Sequence, residues 1–226
     1  MKKLVIAIDG PAASGKSTTA RLVAEKLGYI YVDTGAMYRA MTLKVLDNKI
    51  DLHDESRIAK LADLTEIRIQ QKGSQMRVTL DGRDVTSAIR NRAVTNAVSA
   101  VSALPSVREV MVREQRRMGE EGGIVVEGRD IGTVVFPGAD LKIFMVAEVG
   151  QRVQRRRKEM QQQGIDIDPG QLEEEIRVRD QKDSQRNISP LKKAEDAVVL
   201  DTTDLTITEQ VNKILEIVDG AQPRKR

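Results

Sequence analysis

The sequence predicts an α/β fold, a five-stranded parallel sheet with helices on both faces and one small antiparallel addition. Three observations predict it. Short, nearly all-apolar runs recur at 4–8 (LVIAI), 29–32 (YIYV), 124–127 (IVVE), 141–146 (LKIFMV) and 197–200 (AVVL), the pattern of strands buried on both faces. Helical patterns stand between them, and strands alternating with helices build a doubly wound sheet whose ligands lie beyond the carboxyl ends of the strands. A glycine-rich turn follows the first run and opens the first helix near Lys16.

That turn is the first element with chemistry in it. In VIAIDGPAASGKSTT (5–19), Gly10, Gly15, Lys16 and Ser17 match GxxxxGK[ST], with a strand before and a helix after, as a P-loop requires. Glycines let successive amides point inward, and the helix N-terminus adds positive potential. Lys16 is expected to reach the terminal phosphates of a nucleotide and Ser17 to offer an oxygen to Mg²⁺. An ordinary Gly/Ser turn capping a helix is the competing reading, and motif and context together disfavour it. The architecture is then a three-layer P-loop fold.

After the second strand comes DTGAMYR (33–39), opening a helix over 36–47 at the carboxyl edge of the sheet. Thr34 is expected to cap that helix and Arg39 to sit one turn in, reaching back towards the loop. A planar guanidinium there suits a monophosphate, although a surface arginine on an amphipathic helix has the same spacing. Asn48-Lys49-Ile50-Asp51 matches a guanine-binding string. It ends the second helix rather than following a late strand, so it reads as a polar helix terminus.

A helix over 55–64 precedes a break in the rhythm. In EIRIQQKGSQMRVTLDGRDV (66–85), apolar and polar residues alternate around a Lys-Gly and an Asp-Gly turn, which predicts a small antiparallel sheet with one wet face. With the helical stretch 87–104 it forms an insert over 62–105, between core segments 1–61, 106–148 and 187–220. A helix over 106–118 leads to the third strand, which ends in Glu127-Gly128-Arg129-Asp130-Ile131-Gly132; glycines let backbone approach a ligand there. Helices at 149–163 and 171–184, joined by GIDIDPG, read as a helix–loop–helix over 149–186. A last helix covers 206–218, and the tail 221–226 (AQPRKR) reads as frayed and solvated.

Composition excludes several classes. Lys plus Arg (37) less Asp plus Glu (34) leaves +3, too balanced for a nucleic-acid coat, and three Tyr with two Phe offer few stacking platforms. There is no cysteine. MKKLVIAIDG has too short an apolar run, with an acid inside it, to be a secretory signal. No stretch approaches the ~20 apolar residues of a membrane span. A soluble, cytoplasmic monomer without nucleic-acid or membrane partners is expected. His53, the single histidine, lies in a polar stretch and receives no role.

IDGPAASGKST at 8–18, DTGAMYR at 33–39, SALPSVRE at 102–109, EGRDIGTVVFP at 127–137 and RDQKDSQR at 179–186 followed by SPL together resemble the bacterial cytidylate kinases, among the nucleoside monophosphate kinases. The resemblance runs over nearly the whole chain, insert included. It implies transfer of the ATP γ-phosphoryl to CMP or dCMP with Mg²⁺. The loop Gly10, Pro11, Ala12, Ala13, Ser14, Gly15, Lys16, Ser17 and Thr18 matches the ATP-binding segment. Arg39 and Arg129 match the arginines on the acceptor phosphate, and Thr34 falls in the same acceptor-side motif. Ser99, Arg108, Asp130 and Arg186 match positions around the cytosine, and Arg179 and Asp183 those near the sugar and the transferring phosphoryl. Lys16, Arg129, Arg179 and Asp183 would carry catalysis. The pair of helices at 149–186 matches a mobile lid, and 62–105 the acceptor-binding insert. Glu127 departs from the pattern, since some members carry Asp.

Elementary chemistry agrees with these matches. Cytosine presents an N4 donor beside N3 and O2 acceptors, so a carboxylate with an arginine complements it. Arg179, Asp183 and Arg186 stand at i, i+4 and i+7, one face of a helix if it continues that far; a solvated ion pair is the competing reading. Of the basic run Arg152, Arg155, Arg156, Arg157 and Lys158, most are expected to be exposed. A nucleotide-hydrolysing switch and a nucleic-acid-associated ATPase share the phosphate loop, but neither accounts for Arg39, Arg129 and the insert as a set.

Overall fold

The computed structural model describes residues 3–72, 75–162 and 164–221. In chain order its strands and α-helices are β1 (Val5–Asp9), α1 (Lys16–Leu27), β2 (Ile30–Asp33), α2 (Thr34–Asp47), α3 (Glu55–Asp63), β3 (Ile67–Lys72), β4 (Gln75–Leu80), β5 (Arg83–Asp84), α4 (Arg92–Val101), α5 (Pro105–Met118), β6 (Ile124–Gly128), β7 (Leu141–Val146), α6 (Val149–Gln162), α7 (Pro169–Gln185), β8 (Val198–Asp201) and α8 (Ile207–Ala221). Among the described residues no helix is long and apolar enough to cross a membrane. The Lys-Gly turn at Gly73 and the basic tail beyond Ala221 lie outside the described residues.

Five strands pair in parallel in the order β2-β6-β1-β7-β8. Their runs lack polar alternation because both faces are covered. Ile6, Ile8, Val125 and Ile143 pack against α1 and α8 through Val23, Val211 and Ile214, while Ala7, Val32 and Val126 face Val112 of α5 and the turn at Ile131 and Val135. Register sets the working edge. Asp33 stands opposite Glu127, Asp9 opposite Gly128 and Phe144, and Val146 opposite Asp201. The chain leaves β1 for β2 on one side and later for β7 on the other, so the loop after β1 lies where the strand order reverses.

The addition is the sheet β3-β4-β5. Ile67 opposes Leu80 and Ile69 opposes Val78, and this apolar face packs on α2, α3, α4 and α5 in a core separate from that of the parallel sheet. A third, small cluster of Val153, Leu172 and Ile176 joins α6 to α7.

Several boundaries differ from the sequence reading for identifiable reasons. Asp33, not Thr34, caps α2: its carboxylate accepts from the Ala36 amide at 2.9 Å, which starts the helix at Thr34. The stretch 87–104 divides into a 3₁₀ turn (Ala88–Arg90) and α4, because Asn91 adopts an extended conformation and caps the latter through the Val94 amide. Helix α7 ends at Gln185 and Arg186 is extended, so Arg186 does not continue the helical face of Arg179 and Asp183. Asn48 closes α2, its side chain donating to Lys44 O, about 20 Å from the start of that helix at 1.5 Å per residue.

Gly10 shows how tightly the loop is seated. Its φ is 150°, and a Cβ there would stand 2.1 Å from the carbonyl oxygen of Met145 in β7. Gly10→Ala is expected to lower stability by at least ~1–3 kcal/mol and to weaken nucleotide binding. Thermal unfolding with and without ATP measures both effects, and an unchanged melting temperature would contradict this seating.

Candidate active site

The phosphate loop is held from behind. Helix α1 begins after Gly15 at φ 94°, and its Thr19 hydroxyl donates to Gln210 Oε1 of α8 at 2.8 Å. The Thr202 hydroxyl, at the end of β8, lies 2.9 Å from the carbonyls of Ser14 and Val146. Lys16 is buried at 4 % exposure, and its Nζ donates to Pro11 O at 2.7 Å. Burial, with the positive charges of Arg129 and Arg179, lowers its pKa to about 7, against the opposing pull of Glu127 and Asp9. Ser17 and Thr18 face solvent at the mouth of the loop.

Across the edge stand the residues of DTGAMYR and EGRDIG. The Thr34 hydroxyl donates to Glu127 O at 2.7 Å, stitching α2 to the end of β6. Tyr31 donates to Glu127 Oε1 at 2.7 Å. Arg39, half-buried, donates to Thr95 Oγ1 of α4 at 3.0 Å. Arg129 Nε donates to Asp183 Oδ2 at 2.8 Å. Burial acts upward on the Asp183 carboxyl, but the guanidiniums of Arg129 and Arg179 hold it below its ordinary value. Arg179 is compensated less: burial and then Arg129 lower its pKa to about 10, against the opposing pull of Asp183.

Asp130 and two arginines form a set in which Asp130 and Arg108 are buried and Arg186 is half-buried. Arg108 donates to Asp130 Oδ2 and Arg186 stands 3.7 Å from Oδ1. Arg108 also lies over the Tyr38 ring, 5.4 Å from its centre. Ser99 is tied in less directly. It is half-buried on α4, its carbonyl accepts from Ser102 Oγ, and the Ser102 carbonyl accepts from Arg108 at 3.2 Å. Arg108 Nε, Arg179 Nε and Arg186 Nη2 are buried donors that make no hydrogen bond among the described residues; a cleft that keeps such donors is suited to an anionic or acceptor-rich ligand.

The basic helix departs from expectation. Arg152 is buried, Arg155, Arg156 and Arg157 are half-buried, and of the run Lys158 alone is exposed. Arg152 donates to Ala12 O at 3.2 Å and to Asp180 at 2.5 Å. Arg155 donates to Ser14 O at 3.3 Å and to the Thr202 carbonyl. Long aliphatic stems cover the packed helices while the charged heads reach loop carbonyls, so a run that looks solvated docks α6 on the phosphate loop.

Set beside known proteins, residues 6–220 match the family model for cytidylate kinase. The chain is 51% identical over 223 residues, 99% of each chain, to a protein named cytidylate kinase from Pediococcus pentosaceus. It is 52% identical over 221 residues, 98% of each, to one of the same name from Bacillus pumilus. The chain belongs to the cytidylate kinase family. A solved structure of an uncharacterized protein from Eubacterium ventriosum shares the fold, with a TM-score of 0.51 at 12% identity over 96% of this kinase and 99% of that chain.

The sequence reading missed the residues that support this kinase's site from outside its motifs. Thr202 and Gln210 are polar side chains at 0 % exposure, and a lone Thr or Gln carries no spacing signal. Tyr38 and Glu127 were in view inside motifs, but their partners Arg108 and Tyr31 are distant in sequence. Asp9 was visible as an acid ending an apolar run. Because Arg179 is charged where burial and Arg129 disfavour charge, Arg179→Met is expected to leave the melting temperature of the nucleotide-free protein unchanged or raised, while turnover falls by roughly a hundredfold or more. Thermal unfolding and a coupled assay on the same preparation test this; a large loss of stability would show the arginine holds the fold.

Proposed function

We propose that the protein transfers the γ-phosphoryl group of ATP to CMP or dCMP, giving ADP and CDP or dCDP, as a single chain. The observation that carries the acceptor's identity is the Arg108–Asp130–Arg186 set, buried at Arg108 and Asp130. A carboxylate accepts from the cytosine N4 amino group and a guanidinium donates to N3 and O2, whereas uracil presents an acceptor at position 4. Residues 62–105 then form the acceptor-binding insert and 149–186 the lid, on a core of 1–61, 106–148 and 187–220.

Transfer between oxygens needs positioning and charge stabilisation rather than a covalent intermediate. Residues 10–18 wrap the ATP phosphates with backbone amides and Lys16 rests on the terminal ones. Arg39 and Arg129 hold the acceptor phosphate in line, with Arg129 oriented by Asp183. Arg179 neutralises charge on the transferring group. Docking of α6 and α7 over the loop excludes the water that would otherwise take the phosphate.

Mg²⁺ fits this donor set. Among the described residues no three His, Asp or Glu side chains gather as a metal cage, and Mg²⁺ in kinases keeps several waters and binds chiefly through phosphates with one or two protein oxygens. The solvent-facing Ser17 hydroxyl would hold it, with the buried Glu127 carboxylate at the neighbouring strand end. When bound it neutralises phosphate charge.

The test is ADP release with ATP across CMP, dCMP, UMP, AMP and GMP, in the parent chain and two variants. Release that ignores the acceptor would overturn the reading. Asp130→Asn puts a donor where N4 donates, so kcat/KM for CMP is expected to fall by roughly tenfold or more and the CMP to UMP ratio to narrow. Lys16→Ala, which acts on the donor, is expected to lower both acceptors alike by orders of magnitude. Equal losses for both acceptors in Asp130→Asn would remove Asp130 from the base pocket.

A further inference from the structure

Asp9 ends β1, directly before the first glycine of the phosphate loop, and is buried at 5 % exposure. Each of its carboxylate oxygens accepts one backbone amide, Ile131 N on Oδ1 and Gly132 N on Oδ2, both at 2.8 Å. Those amides open a turn of π-helix over Ile131–Val135, immediately after Asp130. Such turns are rare and concentrate at functional sites. The far end of the turn is held separately: Arg116 donates to the carbonyls of Val134 and Val135.

We propose that Asp9 is a positioning residue for phosphoryl transfer, fixing the segment that carries Arg129 and Asp130 against the strand that carries the ATP-binding loop. It touches neither nucleotide. Its two bonds set the height and direction of the peptide that follows Asp130, and through it the aim of the base-reading carboxylate and of the Arg129 guanidinium. The inference rests on the acceptor reading above and goes beyond it by naming what holds donor and acceptor in register.

Two further observations favour a functional role over a structural stitch. Parallel pairing already joins β1 to β6 through Asp9 and Gly128, so the carboxylate is not needed to keep the strands together. Its ionised form is also disfavoured where it stands: burial, and the facing charge of Asp130, raise its pKa to about 6 against the two amides and Lys16. A buried carboxyl perturbed in this way beside the residues of the phosphate loop and of EGRDIG fits a functional position.

Asp9→Asn tests this. The amide keeps one acceptor oxygen and turns a donor NH₂ towards the second backbone amide, so one anchor is lost and the peptide after Asp130 must shift. KM for CMP is expected to rise by about tenfold, and the CMP to UMP ratio of kcat/KM to narrow by about fivefold or more. The Kd of ATP, titrated on the protein without acceptor, is expected to rise by a smaller factor than the KM for CMP, because Asp9 acts on the donor side only through the charge of Lys16 while the loop itself is held by Gln210 and Thr202. A ratio of specificities does not depend on how much of the preparation is folded, so simple destabilisation leaves it unmoved. If Asp9→Asn does not fold, Asp9→Ala, which places no donor against the amide, is measured with the same expectation. An unchanged CMP to UMP ratio, or equal rises in the ATP and CMP constants, overturns the proposal, as does failure of both variants to fold. A parent chain that does not prefer CMP instead overturns the acceptor reading.

Discussion

Beyond the effect of burial, Arg129 lowers the hold on protons of both Lys16 and Arg179, and Arg179 lowers that of Lys16. Like charges brought together away from bulk water are costly, and the rest of the site is arranged around keeping them there. Asp183 is clamped on Arg129, and Glu127 and Asp9 oppose the loss of charge on Lys16. Compensation of this kind still leaves donors unmatched among the described residues, and a polyphosphate suits them.

The parallel sheet makes this arrangement possible at modest cost in backbone. The strands end together at one edge, so Asp33 arrives opposite Glu127 and Asp9 opposite Gly128 through register alone. Two of them are then used locally, Asp33 to start α2 and Asp9 to hold the turn after Asp130. The amino ends of α1 and α2 open at the same edge and add their positive potential to it.

Apolar burial is divided. The β3-β4-β5 addition packs with α2 to α5 in its own core, and α6 with α7 in a third, much smaller one. The joints between them are polar. Arg39 meets α4 through Thr95, and α6 meets the phosphate loop through Arg152 and Arg155. Charged hydrogen bonds of this sort exchange readily for bonds to phosphate.

Local physics determined what the sequence announced. Double-sided burial imposes the apolar runs, a tight anion cradle imposes the glycines before Lys16, and alternation around Asp-Gly imposes the hairpin, so fold class and phosphate loop were legible without coordinates. The family resemblance added candidate residues for the acceptor side. Contacts between distant segments were not legible. Asp33 rather than Thr34 capping α2, the extended Arg186 reaching back to Asp130, the burial of Arg152, and the hold of Thr202 and Gln210 on the loop all depend on which surfaces meet after folding. A side chain's type limits the bonds it makes, but whether a polar group is capped, buried or paired depends on neighbours that lie up to 191 residues away, and no periodicity in the chain encodes that distance.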